Sequence, residues 1–121
     1  MGSFKFEDPT IPEGTYYVYL EKVDEERSKK NGELFNLWTF MVIDGEFKDA
    51  KITDTTSMRM GPRSKTREWV QVLLGRKVDR GEEIEFDMLI GREAIAVVEI
   101  NEETGFNDIA RLKSVPRSAA A

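Results

Sequence analysis

Hydrophobic and polar positions alternate along several short stretches of this chain, and glycines separate one stretch from the next. Residues 15–23 are rich in aromatic and β-branched side chains, so they predict a first β-strand. In an extended strand, successive side chains point to opposite faces of the sheet. The alternation predicts two faces: Tyr16, Val18 and Leu20 toward the core, and Tyr17, Tyr19 and Glu21 toward the outside.

Two further strands follow before the pattern changes. Residues 34–43 predict a long second strand that ends at the turn Asp44-Gly45, and a charged loop ending in Asn31-Gly32 joins it to the first. Both faces of the second strand are largely apolar, which is typical of a central strand. The same alternation predicts its orientation: Trp38 and Phe40 inward, and Phe35, Leu37 and Met41 outward. Residues 51–58 hold four β-branched residues and predict a third strand.

The spacing of apolar residues becomes helical after the third strand. One helical stripe would hold four side chains: Trp69, Val70, Leu73 and Leu74. Ser64 is a suitable N-cap and Gly75 a suitable stop, so the sequence predicts a helix over residues 64–74. Residues 94–100 and 106–115 predict the fourth and fifth strands, joined by a hairpin loop.

Three strands, one helix and two strands describe a mainly β protein. This is the element order of a five-stranded OB-type Greek-key barrel with one α-helix between strands 3 and 4. The helix would close one end of the barrel, and a split sheet with the helix packed on one face is the alternative. We expect a flexible N-terminal segment over residues 1–10, a single OB-like domain over residues 11–115 and a disordered tail over residues 116–121.

The composition excludes several kinds of chemistry. The chain has no cysteine and no histidine, so disulfides, thiolate metal sites and a Ser-His-Asp triad are excluded. No phosphate-binding glycine loop, nucleophile elbow or dinucleotide fingerprint occurs. An acidic run matches no calcium loop and is interpreted as a solvated loop: Glu82, Glu83, Glu85 and Asp87. We therefore expect no enzyme activity, no cofactor and no metal.

The distribution of apolar residues also bears on location. The longest apolar runs are about five residues, far short of the roughly 20 that a membrane-spanning helix needs. The first residues of the chain lack the apolar centre of a secretory signal. We expect a cytoplasmic protein that has no membrane partner.

Charge is distributed unevenly along the chain. The net charge of −5 argues against a protein that coats nucleic acid non-specifically. Residues 59–80, however, hold seven basic and two acidic residues, whereas residues 81–108 hold one basic and nine acidic residues. Because phosphate contacts depend on local charge, the basic stretch keeps nucleic-acid binding open. The plainer interpretation is a solvated helix face with its flanking loops.

Several short motifs resemble those of a known family. In the first half of the chain they are Pro12-Glu13-Gly14-Thr15-Tyr16, the loop ending Asn31-Gly32, Leu37-Trp38-Thr39-Phe40 and Val42-Ile43-Asp44-Gly45. In the second half they are Leu89-Ile90-Gly91-Arg92-Glu93, Val97-Val98-Glu99 and Gly105-Phe106-Asn107-Asp108. Over residues 11–115 the chain resembles small phage and prophage single-stranded-DNA-binding proteins of OB-fold type, many of them of unassigned function. The resemblance implies a role in phage-type DNA replication or recombination, in the host cytosol if the protein is phage-encoded.

A site for single-stranded nucleic acid needs aromatic faces on which bases stack and cations that follow the phosphates. The expected stacking surface lies on the outer side of the first hairpin and holds Tyr17, Tyr19, Phe35 and Leu37. The expected phosphate contacts come from the first loop and from the helix start: Arg27, Lys29, Lys30, Arg59, Arg63, Lys65 and Arg67. Trp69 falls on the helical stripe and is assigned to the core. Trp38 joins the stacking surface only if the strand register slips by one residue.

The leading hypothesis is single-stranded DNA binding with little sequence preference. The first alternative is a protein-interaction or oligomerisation module that uses the outward aromatic face, because exposed apolar patches often mark interfaces. The second alternative is an oligosaccharide-binding OB domain, which would also use aromatic faces. Homo-oligomer formation and contacts with replication or recombination proteins are compatible with the leading hypothesis.

Overall fold

A computed structural model describes residues 10–58 and 64–115 of the chain. The predicted tail lies outside the described residues, and so does the predicted N-terminal segment apart from Thr10. Two of the expected phosphate-binding residues, Arg59 and Arg63, also lie outside them.

The observed elements follow the predicted order of three strands, a helix and two strands. The elements are β1 (Gly14–Arg27), β2 (Leu34–Val42), β3 (Lys51–Ser57), α1 (Lys65–Leu74), β4 (Glu93–Ile100) and β5 (Asn107–Lys113). A single 3₁₀ turn at Phe86–Met88 lies between α1 and β4. The mainly β class is confirmed, and the largest difference from the prediction is β1, which runs on to Arg27 instead of ending at Val23.

All five strands form one antiparallel sheet in the order β3-β2-β1-β4-β5. The long strand β1 is central, since its first part pairs with β4 and most of its length pairs with β2. The outer strands β3 and β5 contact each other. No backbone ladder joins these two strands in the described part of the chain, and a side-chain contact links them instead: the amide of Ile109 donates to the Asp54 carboxylate at 2.9 Å.

A β-bulge interrupts the pairing of β1 with β2. Leu20 pairs with Phe40 and Lys22 pairs with Thr39, so Glu21 is the extra residue. An extra residue in one strand changes the face on which all later side chains lie. Val23 therefore faces inward, three positions after the inward-facing Leu20.

A second bulge interrupts the pairing of β4 with β5. Val98 pairs with Ile109 while Val97 pairs with Arg111, which makes Ala110 the extra residue. As a result Ile109 and Leu112 are both buried although they lie three positions apart. The bulge turns Arg111 and, two residues later, Lys113 to the outer face of the sheet.

The inner face of the sheet and the helix enclose an aromatic core. The indoles of Trp38 and Trp69 meet edge to face with their centroids 5.3 Å apart, and Phe86 approaches Trp38 at 5.4 Å. Phe40 stacks parallel to Trp38 at 6.2 Å. Offset and edge-to-face pairs of this kind add stability beyond the area they bury. The predicted inward orientation of Trp38 and Phe40, and the core position of Trp69, are confirmed.

The helix begins and ends at the predicted residues. Ser64 is the N-cap, and its hydroxyl accepts a hydrogen bond from the Arg67 amide at 3.1 Å. Gly75 closes the helix in the left-handed region with a φ of 74°, a conformation that costs little only for glycine. The helix buries its predicted apolar stripe together with Thr66.

Threonine hydroxyls connect the helix to β3 inside the core. The Thr66 hydroxyl donates to the Ser57 carbonyl at 2.8 Å, and its oxygen lies within hydrogen-bond distance of Thr56 Oγ1, at 2.7 Å. The indole Nε1 of Trp38 donates to the same Thr56 oxygen at 2.8 Å. Because buried polar groups are costly without partners, this network fixes how α1 sits on the sheet.

Candidate functional site

The outer side of the sheet carries a patch of aromatic and apolar side chains on β1, β2 and β4. We call this patch the tyrosine face and define it by five residues: Tyr17, Tyr19, Met41, Ile95 and Val97. Tyr17 is the most accessible of these, with 45% of its surface exposed. The predicted outward orientation of Tyr17 and Tyr19 agrees with the inward burial of Val18 between them.

The row of residues through Tyr17 crosses three strands. Tyr17 pairs with Ile95 on β4, and Ile95 pairs with Lys113 on β5. Since neighbouring strands lie about 4.8 Å apart, the Lys113 backbone lies roughly 10 Å from that of Tyr17. The long side chain of Lys113 can span much of that distance, so the row that contains the exposed ring of Tyr17 ends in a cation on β5.

The row through Tyr19 also crosses the sheet but carries mixed charge. Tyr19 pairs with Met41 on β2, and Met41 pairs with Lys51 on β3. Lys51 forms an ion pair with Glu21 at 3.7 Å. On its other side Tyr19 pairs with Glu93, which is exposed. The surroundings of Tyr17 therefore suit an anionic ligand better than the surroundings of Tyr19 do.

The predicted stacking residues Phe35 and Leu37 lie on the same outer side but beyond the β1 bulge. Both are half-buried. Phe35 pairs with Glu26, and Leu37 pairs with Asp24. Carboxylates therefore neighbour this part of the sheet, and it differs in charge from the tyrosine face.

The loop between β1 and β2 holds three of the predicted cations. The Arg27 guanidinium donates from Nη1 to the Gly32 carbonyl at 2.5 Å, so this side chain stabilises the turn. Lys29 and Lys30 are exposed, and neither forms an ion pair with any residue in the described ranges. Two of the three predicted cations in this loop are thus available to a ligand.

The structure gives Lys65 and Arg67 internal partners. Lys65 pairs with Asp54 at 3.3 Å, and its ammonium lies 4.8 Å from the centroid of the Trp69 ring. Arg67 is half-buried and donates from Nη2 to the Val78 carbonyl at 2.8 Å. Both side chains therefore hold the start of α1 to its surroundings, which competes with the phosphate contacts expected of them.

Trp38 does not lie on the stacking surface. Its side chain has no exposed area, and the indole N–H is bonded to Thr56. Its register partners, Val23 on β1 and Asp54 on β3, place it on the inner side of the sheet. The register slip that would turn Trp38 outward does not occur, because Phe40 and the helix residue Trp69 pack against it.

Two cations on β5 were not among the residues predicted from the sequence. Arg111 and Lys113 are exposed on the outer side of the sheet, opposite Val97 and Ile95. Strict alternation from Ile109 would have turned both inward. The signal that could have found them is the spacing of three between the apolar residues Ile109 and Leu112, which indicates a bulge in a strand.

The acidic stretch after the helix is partly neutralised within the chain. The Arg76 guanidinium donates two hydrogen bonds to the Glu82 carboxylate, at 3.0 and 2.7 Å. These bonds, with a further one from the Asp79 amide, lower the pKa of Glu82 to about 2. Over the residues that the structure describes, no three acidic side chains come together in a way that could hold a metal ion.

A cavity of about 400 Å³ lies between α1 and the stretch that follows it. Its apolar wall consists of Val70, Val78, Ile84 and Phe86. Its polar lining includes Arg67 and Glu82, whose side chains already form hydrogen bonds within the protein, to the Val78 carbonyl and to Arg76 respectively. The cavity is separate from the tyrosine face, which lies on the opposite side of the sheet from Phe86.

No protein-family model matches this sequence, and no curated protein matches it significantly. None of the helical segments in residues 10–58 and 64–115 has the length and apolar character needed to cross a membrane. The function of the protein is therefore inferred from the geometry of the tyrosine face and its neighbours.

Proposed function

We propose that this protein binds single-stranded DNA on the tyrosine face. The observation that carries the proposal is the exposed ring of Tyr17, two residues from Tyr19 on the same side of β1. Every base has a π-face, so stacking on tyrosine tolerates any sequence and contributes about 1–3 kcal/mol per base. Residues two apart in a strand lie about 6.8 Å from each other, which suits two successive unstacked bases.

The order of the strands in the sheet and the position of the helix support the proposal. An antiparallel sheet in the order β3-β2-β1-β4-β5, with a helix between β3 and β4 and contacts between the end strands, suits an OB-type barrel. The Asp54 contact with Ile109 takes the place of a ladder between β3 and β5. OB-type barrels present oligonucleotide-binding surfaces on the outside of the sheet and on the adjoining loops.

The overall negative charge is compatible with this proposal. Exposed cations on β5 lie on the same side of the sheet as the tyrosine face, and the β1–β2 loop adds further positive charge. Many acidic residues lie elsewhere, on the loop after α1 and the tip of the β4–β5 hairpin. Phosphate binding depends on the local group of cations. A role in phage-type replication or recombination, without catalysis, is the biological setting that we propose.

Fluorescence anisotropy with a labelled poly-dT oligonucleotide tests the proposal. Binding should be measurable at low salt and should weaken steeply as salt rises, because counterions are released from phosphates. The double variant Y17A/Y19A should lose most of the affinity. The matched control is F106A, which removes another exposed aromatic ring, at the β4–β5 hairpin and away from the tyrosine face. Absence of binding by the wild-type protein at low salt would contradict the proposal.

A protein-interaction module is the second candidate, and one observation favours it. Phe106 is 58% exposed at the end of the β4–β5 loop, which also holds Glu102 and Glu103. Carboxylates around an exposed ring repel DNA and suit a basic protein surface. In this case F106A would abolish partner binding, and raised salt would leave the apolar part of the contact intact.

A further inference from the structure

The outer side of the sheet has two halves of different charge, and the β1 bulge separates them. Beyond the bulge, Asp24 lies beside Leu37 and Glu26 beside Phe35. Lys22 forms an ion pair with Asp24 at 3.4 Å, whereas Glu26 forms none with the described residues. A phosphate placed on this half would meet negative charge that the protein only partly neutralises.

The opposite edge of the same sheet side is basic. Arg111 and Lys113 are exposed on β5, and neither has an ion pair or a side-chain hydrogen bond among the described residues. Lys113 lies in the row of Tyr17, and Arg111 lies in the next row, opposite Val97. Their charges are therefore available on the same side of the sheet as the exposed tyrosine ring, two strands away from it.

The β5 bulge is the structural cause of this arrangement. Without the extra residue Ala110, Arg111 would point inward like Ile109, and a buried arginine without a carboxylate partner is costly. The bulge thus places two cations on the outer side while Leu112 keeps its place in the core. Bulges of this kind often re-aim side chains next to binding sites.

We infer that the bound strand crosses the sheet obliquely from β5 toward β3, passing over Tyr17 and then Tyr19, and that Arg111 and Lys113 make its main phosphate contacts. This inference rests on the proposed single-stranded DNA binding. The strand does not follow β1 to its hairpin, because Asp24 and Glu26 line that route. The exposed lysines of the β1–β2 loop lie beyond this acidic stretch and contribute only long-range attraction.

A path across the sheet is short. Measured along the curled sheet, the four gaps of about 4.8 Å between neighbouring strands give a path of roughly 19 Å. OB-type domains occupy about 4–16 nucleotides, depending on the protein and its binding mode. A strand confined to the width of this sheet belongs at the lower end of that range, at about four nucleotides.

Two double variants with equal change in charge test the path. R111Q/K113Q removes two positive charges from β5, and K29Q/K30Q removes two from the loop. Affinities of both variants and of the wild type are measured by anisotropy with dT4, dT8 and dT16 over a series of salt concentrations. Urea unfolding of each variant checks that these exposed substitutions leave the fold intact.

The inference predicts that R111Q/K113Q weakens dT8 binding by about tenfold or more. It should also reduce the slope of log K against log salt by about 1.4, the value for two lost single-strand phosphate contacts. K29Q/K30Q should change both quantities much less. The wild-type affinity should rise little between dT4 and dT16, apart from the statistical gain from more binding positions.

Two outcomes would overturn the inference while leaving the proposed function in place. One is a larger loss for K29Q/K30Q than for R111Q/K113Q. The other is wild-type affinity that climbs steeply from dT4 to dT16, which would show a longer path along the hairpin. If the wild-type protein binds none of the three oligonucleotides at low salt, the proposed function itself fails and the inference fails with it.

Discussion

The carboxylate of Asp54 on β3 accepts a hydrogen bond from the backbone amide of Ile109 on β5 at 2.9 Å. These residues lie 55 positions apart in sequence and on the two end strands of the sheet. The same carboxylate oxygen accepts from Lys65 at 3.3 Å, and the other accepts from the Thr55 amide at 2.7 Å. One acidic side chain therefore joins β3, β5 and the start of α1.

Replacing Asp54 with alanine should destabilise the protein by about 1–3 kcal/mol, because the partly buried amide of Ile109 loses its partner. Urea unfolding followed by circular dichroism measures the change. The control E103A removes an exposed carboxylate and should lie within about 0.5 kcal/mol of the wild type. Equal stabilities of D54A and E103A would show that the contact between β3 and β5 contributes nothing.

A second prediction concerns the hydroxyl of Thr56 in the core. The variant T56V keeps the shape of the side chain but removes the acceptor for the Trp38 indole, and it should cost about 1–3 kcal/mol. The exposed neighbour Thr55 lies on the other side of the same strand, so T55V is the matched control and should be nearly neutral. Thermal unfolding of both variants gives the comparison, and a T56V protein as stable as T55V would contradict the prediction.

A third prediction uses the two tryptophans as reporters. Trp38 and Trp69 are buried, at 0% and 2% exposure, and both lie on the inner side of the sheet, opposite the side that carries the tyrosine rings. Their emission should be blue-shifted, resistant to acrylamide and almost unchanged when poly-dT saturates the protein. Strong quenching of tryptophan emission by poly-dT would mean that bases reach an indole, and it would refute the assignment of Tyr17 as the main stacking residue.

A fourth prediction concerns acid stability. Hydrogen bonds from Arg76 and from the Asp79 amide lower the pKa of Glu82 from 4.5 to about 2 in the folded protein. A carboxyl with a lowered folded-state pKa stabilises the fold above its unfolded pKa, and this contribution disappears as pH falls from about 4.5 to about 2. The effect is modest because the pair is solvent-accessible.

Urea midpoints measured across this pH range test the Glu82 contribution. E82Q cannot titrate, so its midpoint should fall less steeply than that of the wild type between pH 4.5 and 2. R76Q removes the donor and should flatten the same region of the curve. If the urea midpoints of both variants fall with pH as steeply as that of the wild type, the ion pair is not formed in solution.

Much of the fold follows from local patterns in the sequence. The alternation around Val18 and Leu20 predicts which residues are buried, and the helical stripe with its Ser64 and Gly75 ends predicts α1. These signals succeed because the period of two or of 3.6 residues depends only on the backbone geometry of one element. The order of elements then indicates the class of fold.

The bulges and long-range contacts could not be predicted in the same way. The extra residues Glu21 and Ala110 break the alternation, and the sequence analysis assumed an unbroken period of two. The Asp54 contact with Ile109 depends on the packing of strands that are distant in sequence. Similarly, Lys65 and Arg67 are basic residues that the sequence alone presents as free cations, whereas the structure gives both of them internal partners.

DNA binding on the tyrosine face is tested most directly by a nuclear magnetic resonance titration of ¹⁵N-labelled protein with a short dT oligonucleotide. We expect the largest backbone amide shifts at Tyr17, Tyr19, Ile95 and Lys113, and small shifts at Lys29 and Lys30. Shifts concentrated in the Phe106 loop, or at the Phe35 end of the sheet with the tyrosines unaffected, would contradict the claim that the tyrosine face is the DNA-binding surface.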